Sequence, residues 1–125
     1  MSILKIPLQY EGSKDEAVIY TLLDSSASFS CITPECAEML ANPEKMRRSL
    51  EVATATSGNY LRSEYRVALD FYYDKIRMSD ESMVIPGLSE DAILGANTLQ
   101  KWRIKLDFEN DTIIVDPKVA KAIFK

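Results

Sequence analysis

LLDSSASFSCI, residues 22–32, sets one aspartate and a run of small hydroxyl side chains between two apolar stretches. Upstream, Leu4, Ile6, Leu8 and Tyr10 alternate, Glu11-Gly12-Ser13-Lys14-Asp15 is polar, and Val18, Tyr20 and Leu22 alternate again, with Ile19 and Leu23 filling the other face. Period-two patterning on either side of a polar turn predicts a hairpin whose second strand is buried on both sides. That strand runs into Asp24-Ser25-Ser26-Ala27-Ser28, small turn-forming residues that continue a ladder poorly. Asp24 therefore ends a buried strand, either as a turn aspartate accepting backbone N–H bonds or as a carboxylate held for chemistry.

Downstream, Phe29, Cys31 and Ile32 resume the strand pattern. Thr33-Pro34-Glu35 then supplies a hydroxyl N-cap, a first-turn proline and an acid for a helix that Asn42-Pro43 ends. Strand patterning returns from Leu50 to Thr56. Ser57-Gly58-Asn59 is a turn signal, and Tyr60 to Phe71 continues as β, giving a hairpin over about residues 50–71. Asp74-Lys75 turns into a strand ending at Met83-Val84-Ile85, and Pro86-Gly87 makes the next turn. Ala92-Ile93-Leu94 closes at Gly95 before about two helical turns from Ala96 to Trp102. Ile104 to Val115 forms a third hairpin, and Pro117 opens a short helix over about 117–125 in which Val119, Ala120 and Ile123 dock. Many short strands in 125 residues predict one mainly β domain, a small closed barrel or sandwich with one or two short helices.

Composition excludes several chemistries. The chain has no histidine and two cysteines. Ser-His-Asp and Cys-His nucleophiles both need an imidazole, and zinc sites draw on histidine or a larger set of thiolates, so no metal or cofactor site is expected. Cys31 and Cys36 are read as buried thiols, with a disulfide the alternative in an oxidising compartment. A net charge of −4 argues against a nucleic-acid partner. KMRR, residues 45–48, reads as a solvated patch near a helix end. No apolar run is long enough to span a bilayer, and the residues before Lys5 lack the core of a secretory signal, which together predict a cytoplasmic protein without a membrane partner.

Two segments, LLDSSAS and ILGANTL at 93–99, gain meaning from their order. An apolar strand, an Asp-Ser turn, a hairpin with a glycine tip, and an apolar strand ending in Leu-Gly before a short helix resemble the retropepsin-like, single-lobe aspartic proteases from about Leu4 to Pro117. The resemblance implies a small closed β-barrel. It makes Asp24 the catalytic carboxylate and Ser25 a brace between paired turns. Ala27 lines the groove floor, and Asn97 is a hydrogen-bonder supporting the turn. Thr56, Ser57, Gly58 and Asn59 form the flap tip, and Val84 and Ile85 line the groove with Leu61.

A single-lobe subunit carries half of a two-carboxylate site, so the resemblance also implies a C2 homodimer acting on polypeptide. In one respect the chain departs from the family's Asp-Thr/Ser-Gly turn: Ser26 stands where the glycine belongs. A left-handed backbone there would cost serine about 1–3 kcal/mol. Two functions follow: a homodimeric aspartic endopeptidase, or a catalytically impaired domain that dimerises or binds peptides.

Overall fold

Alternation at Leu4, Ile6, Leu8 and Tyr10 builds strand β1 (Leu4–Glu11), all four of these side chains being buried. The computed structural model describes residues 4–53 and 60–120. β1 pairs antiparallel with β2 (Glu16–Leu23), from Leu4 opposite Leu23 to Glu11 opposite Glu16. β2 is buried on one face, not on both as its sequence pattern predicts. Ile19, Thr21 and Leu23 point into the core, whereas Val18 and Tyr20 are 65% and 59% exposed. Thr21 is tolerated inside because its Oγ1 lies 2.9 Å from the Tyr10 hydroxyl and donates to the Ile19 carbonyl at 3.1 Å. A buried hydroxyl with partners avoids the desolvation cost of an orphaned one. Burial pushes the Tyr10 phenol well above its ordinary range.

Seven further strands follow: β3 (Cys31–Ile32), β4 (Glu44–Ala53), β5 (Tyr60–Tyr73), β6 (Ile76–Val84), β7 (Ala92–Leu94), β8 (Lys105–Asp107) and β9 (Thr112–Ile114). The main sheet runs β1-β2-β7-β3-β6-β5-β4, and β1 also pairs with β5 through Gln9–Tyr72, Tyr10–Phe71 and Glu11–Asp70. That pairing closes six strands into a barrel and leaves β4 outside, paired among the described residues with β5 alone. Closure removes the open edges that a flat sheet of this size would expose. The interior is filled by Leu8, Tyr10, Leu23, Ile32, Phe71, Met78 and Leu94. Each such side chain contributes about 1.5–3 kcal/mol when fully buried.

Turn chemistry places the strands. β5 and β6 meet through Asp74 and Lys75 at φ of 48° and 67°, the paired left-handed conformation of a tight hairpin. Gly87, at φ 83°, follows Pro86 in the turn after β6. Helix α1 (Pro34–Leu40) starts as its sequence predicts, with Thr33 Oγ1 accepting from the Cys36 N–H at 3.4 Å. Helix α2 (Ala96–Lys101) follows β7 directly.

Strand β4 departs from expectation. It begins at Glu44, so Lys45 to Arg48 lie on a strand and not near a helix end; Lys45, Arg47 and Arg48 are exposed. The Glu44 carboxylate accepts from Arg66 Nε at 2.9 Å, tying the start of β4 to β5, and the register then shifts between Lys45 and Leu50. β8 and β9 form a separate two-stranded sheet, in whose turn Asn110 donates to Asp107 from its side chain and backbone and holds that carboxylate below its usual range. Pro117–Ala120 is a 3₁₀ turn against β6. The rest of the expected C-terminal helix, including Ile123, lies outside the described residues.

Both cysteines are free thiols, Cys31 buried and Cys36 half-buried. Burial pushes the Cys31 thiol up to about 11. No helix among the described residues is long and apolar enough to cross a membrane.

Candidate active site

β2 and β7 run parallel, with Leu23 opposite Leu94, so Asp24 and Gly95 leave the sheet side by side. The loop from Asp24 to Ser30 has no ladder of its own, and its backbone groups are satisfied by the β7–α2 junction. The Asp24 N–H donates to the Leu94 carbonyl at 3.0 Å. The Ala96 N–H donates to the Ala27 carbonyl at 2.6 Å, and the Asn97 N–H donates to the Ser28 carbonyl at 3.2 Å. The first turn of a helix has N–H groups without intrahelical partners, and α2 has no side-chain cap. The loop carbonyls take that role.

Gly95 is required by this contact. A Cβ built there would lie 2.4 Å from the Phe29 carbonyl oxygen and 2.8 Å from that of Ala27. Within the loop, the Ala27 N–H returns to the Asp24 carbonyl at 3.1 Å, closing a tight turn around Ser25 and Ser26.

The Asp24 side chain is half-buried and its Oδ1 is taken by Ser26 alone, through the backbone N–H at 2.9 Å and the hydroxyl at 2.6 Å. Among the described residues, Oδ2 accepts no hydrogen bond. Among the described residues, the non-glycine positions with left-handed φ are Asp74, Lys75, Arg103 and Asp111, and Ser26 is not one of them. The serine in place of the motif glycine therefore carries no backbone strain of that kind, and its side chain is engaged with the carboxylate.

Of the other residues singled out in the sequence, Ser25 is exposed beside an open cleft of about 320 Å³ lined by Leu99, Ile104 and Leu106. Ala27 is half-buried. Asn97 meets the turn through its backbone N–H, and its side chain is exposed. Val84 packs in the main core, and Ile85 packs in a second cluster with Cys31 and Met83; both are buried. Leu61, Leu88 and Ile93, with Met46, Leu50 and Val52 from β4, are partly buried apolar side chains packed on that second cluster. Thr56, Ser57, Gly58 and Asn59 lie outside the described residues.

Three residues that sequence reasoning did not single out also meet here. Ser30 is buried, accepts from the Gly95 N–H at 3.1 Å and lies 2.5 Å from Thr98 Oγ1, which donates to Asp80 Oδ2 at 2.9 Å. Ser30 stands 68 residues from Thr98 in sequence. The only local signal is a polar side chain at positions otherwise patterned as apolar.

A closed six-stranded barrel with an Asp-Ser turn at the end of a buried strand, braced by a Leu-Gly strand end and a short helix, is a retropepsin-like aspartic protease domain. The chain belongs to the retroviral aspartyl protease family, which matches residues 16–121. Among solved structures, it is similar to the retroviral protease-like domain of Ddi1 from Leishmania major, at 15% identity and a TM-score of 0.68 over 93% of this chain and 90% of that one. It is also similar to EIAV protease complexed with the inhibitor HBY-793, at 16% identity and a TM-score of 0.60 over 86% and 94%. At these identities the likeness speaks for the fold alone. Comparison with curated proteins finds no match.

Proposed function

We propose that the chain is a homodimeric aspartic endopeptidase in which one Asp24 from each subunit forms a paired-carboxylate site. The observation that carries this reading is the Asp24 side chain itself. It is fixed at the end of a buried strand with Oδ1 held by Ser26, while Oδ2 has no partner among the described residues. One carboxylate cannot both take a proton from water and supply one to the scissile carbonyl. Two close carboxylates that share a proton can: the ionised one draws the proton from water as its oxygen attacks the carbonyl carbon, and the protonated one donates to the carbonyl oxygen. Collapse of the tetrahedral adduct then breaks the C–N bond and returns a proton to the leaving amine. The pair titrates as a unit, which sets an optimum on the acid side of neutral. Exposed Ser25, beside an apolar cleft, supports contact between two such turns.

The second reading is a retropepsin-like domain without turnover, serving as a dimerisation or peptide-binding module. It rests on the Ser26 side chain, whose hydroxyl occupies the carboxylate at 2.6 Å where the family has no side chain. The absence of a left-handed backbone at Ser26 favours the first reading.

The test is cleavage of a mixed peptide library at mildly acid pH, followed by mass spectrometry. Cleavage that is lost in Asp24→Asn, and blocked by a peptide mimic with a hydroxyl in place of the scissile carbonyl, supports the endopeptidase. Full activity in Asp24→Asn refutes it. An inert protein that gains cleavage on Ser26→Gly supports the module.

A further inference from the structure

We propose that Asp80 is a positioning residue for the Asp24 loop, acting from β6 through a directed chain of buried hydroxyls. The direction follows from donor and acceptor chemistry. An ionised carboxylate only accepts, so the Thr98 hydroxyl donates to Asp80 Oδ2 at 2.9 Å and cannot also donate to Ser30. Ser30 therefore donates to Thr98 Oγ1 at 2.5 Å, and its remaining lone pairs accept the Gly95 N–H at 3.1 Å. The Gly95 N–H and the Ser30 and Thr98 hydroxyls thus all point their protons towards Asp80, the terminal acceptor, and each bond polarises the next. Ser30 and Thr98 are buried, so neither can exchange its partner for water at low cost.

This chain ends beside the groups that hold the site. Gly95 lies between Leu94, whose carbonyl accepts from Asp24, and Ala96, whose N–H holds the Ala27 carbonyl. A shift of Gly95 would move both contacts, and the lack of space for a Cβ at Gly95 leaves no slack on the loop side. At the other end, Asp80 is fixed as well. Its Oδ1 accepts from the Glu81 N–H at 2.9 Å, while the exposed Lys101 Nζ, 3.8 Å away, is too far to hydrogen-bond and adds little. Trp102 Nε1 donates to the Ser79 carbonyl at 2.8 Å, tying the end of α2 to the same stretch of β6. Asp80 thereby sets where α2 begins relative to the barrel, and through it the placement of the Asp24 loop.

The kinetic part of this inference rests on the endopeptidase reading; the positional part does not. The experiment is amide hydrogen exchange by NMR on the full chain for Asp80→Ala, Asp80→Asn, Thr98→Val and Lys101→Ala, with kinetics on the same variants. Asp80→Ala and Thr98→Val are expected to speed exchange at Gly95, Ala96 and Asn97 by about tenfold, the worth of one lost hydrogen bond. Exchange in the β1–β2 hairpin should stay unchanged. Asp80→Asn, which keeps an acceptor oxygen, should restore most of the protection, and Lys101→Ala should leave it intact.

If the chain cleaves peptides, Asp80→Ala should lower kcat by about tenfold or more with KM nearly unchanged. Uniform loosening of the whole barrel, no change at Gly95 to Asn97, an equal effect from Lys101→Ala, or a change in KM alone would overturn the inference. Local loosening in a chain that cleaves nothing would uphold the positioning role and count against the endopeptidase reading alone.

Discussion

Between Leu23 and Cys31 the Asp24 loop has neither ladder nor helix, yet its backbone is bonded to the β7–α2 junction at Leu94, Ala96 and Asn97, and Ser30 extends the contact to Thr98 and Asp80. The β4–β5 arm has the opposite construction. It is a long ladder attached to the barrel through one strand, broken by a register shift between Lys45 and Leu50, and backed by the partly buried Met46, Leu50, Val52 and Leu61. Directional bonds fix the loop atom by atom against the junction. Apolar contacts under the arm fix its distance from the barrel without fixing each atom. Damage to the loop should therefore appear in kcat, and damage to the arm in stability and KM.

The largest effect that can break this contrast is Asp24→Asn. Asparagine keeps an acceptor for the two Ser26 donors, so the fold should persist while peptide cleavage falls on the order of 1000-fold or more. A crystal structure and a cleavage assay on the same sample check both halves.

Gly95→Ala should follow in size. The added methyl meets backbone atoms of Phe29 and Ala27 that cannot yield, and a urea titration should show a loss of about 2–3 kcal/mol.

The arm and its underlying cluster supply a pH-dependent prediction. The Cys31 thiol is pushed up to about 11 by burial, so the folded state resists ionisation that the unfolded chain undergoes from its ordinary value near 9.0. The stabilisation is complete below that ordinary value and is lost as pH rises from it towards 11, by about 3 kcal/mol. Cys31→Ala should flatten this part of the stability profile, and at pH 8 iodoacetamide should leave Cys31 unlabelled in the native protein.

The smallest expected effect is that of Leu50→Ala. Its half-buried side chain should contribute about 1 kcal/mol to stability, with kcat within about twofold of the parent. A larger fall in kcat than in stability would erase the distinction between loop and arm.

How far the sequence foretold these regions depends on the range of the forces involved. β1 and the Asp74–Lys75 turn were legible because strand alternation and turn residues are local. The pattern of β2 predicts burial on both faces, but Val18 and Tyr20 face outwards, and the place of Thr21 on the inner face depends on Tyr10 of the neighbouring strand. β4 was missed before Leu50 because charges at Glu44, Lys45, Arg47 and Arg48 hide a strand that is held from outside by Arg66. In the site, Asp24 stood out through the order of two short motifs. Ser30, Thr98 and Asp80 did not, since no local pattern links residues 68 and 18 positions apart. The effect of Ser26 was also out of reach, because whether serine can replace glycine depends on φ and on where its hydroxyl lands.

The most direct test of the paired-carboxylate account is a crystal structure of the assembled protein bound to a peptide mimic with a hydroxyl in place of the scissile carbonyl. The account predicts a two-fold dimer with the two Asp24 carboxylates within hydrogen-bonding distance of that hydroxyl and of each other, at about 3 Å. A monomer, or a dimer that holds the two Asp24 side chains far apart, would contradict it.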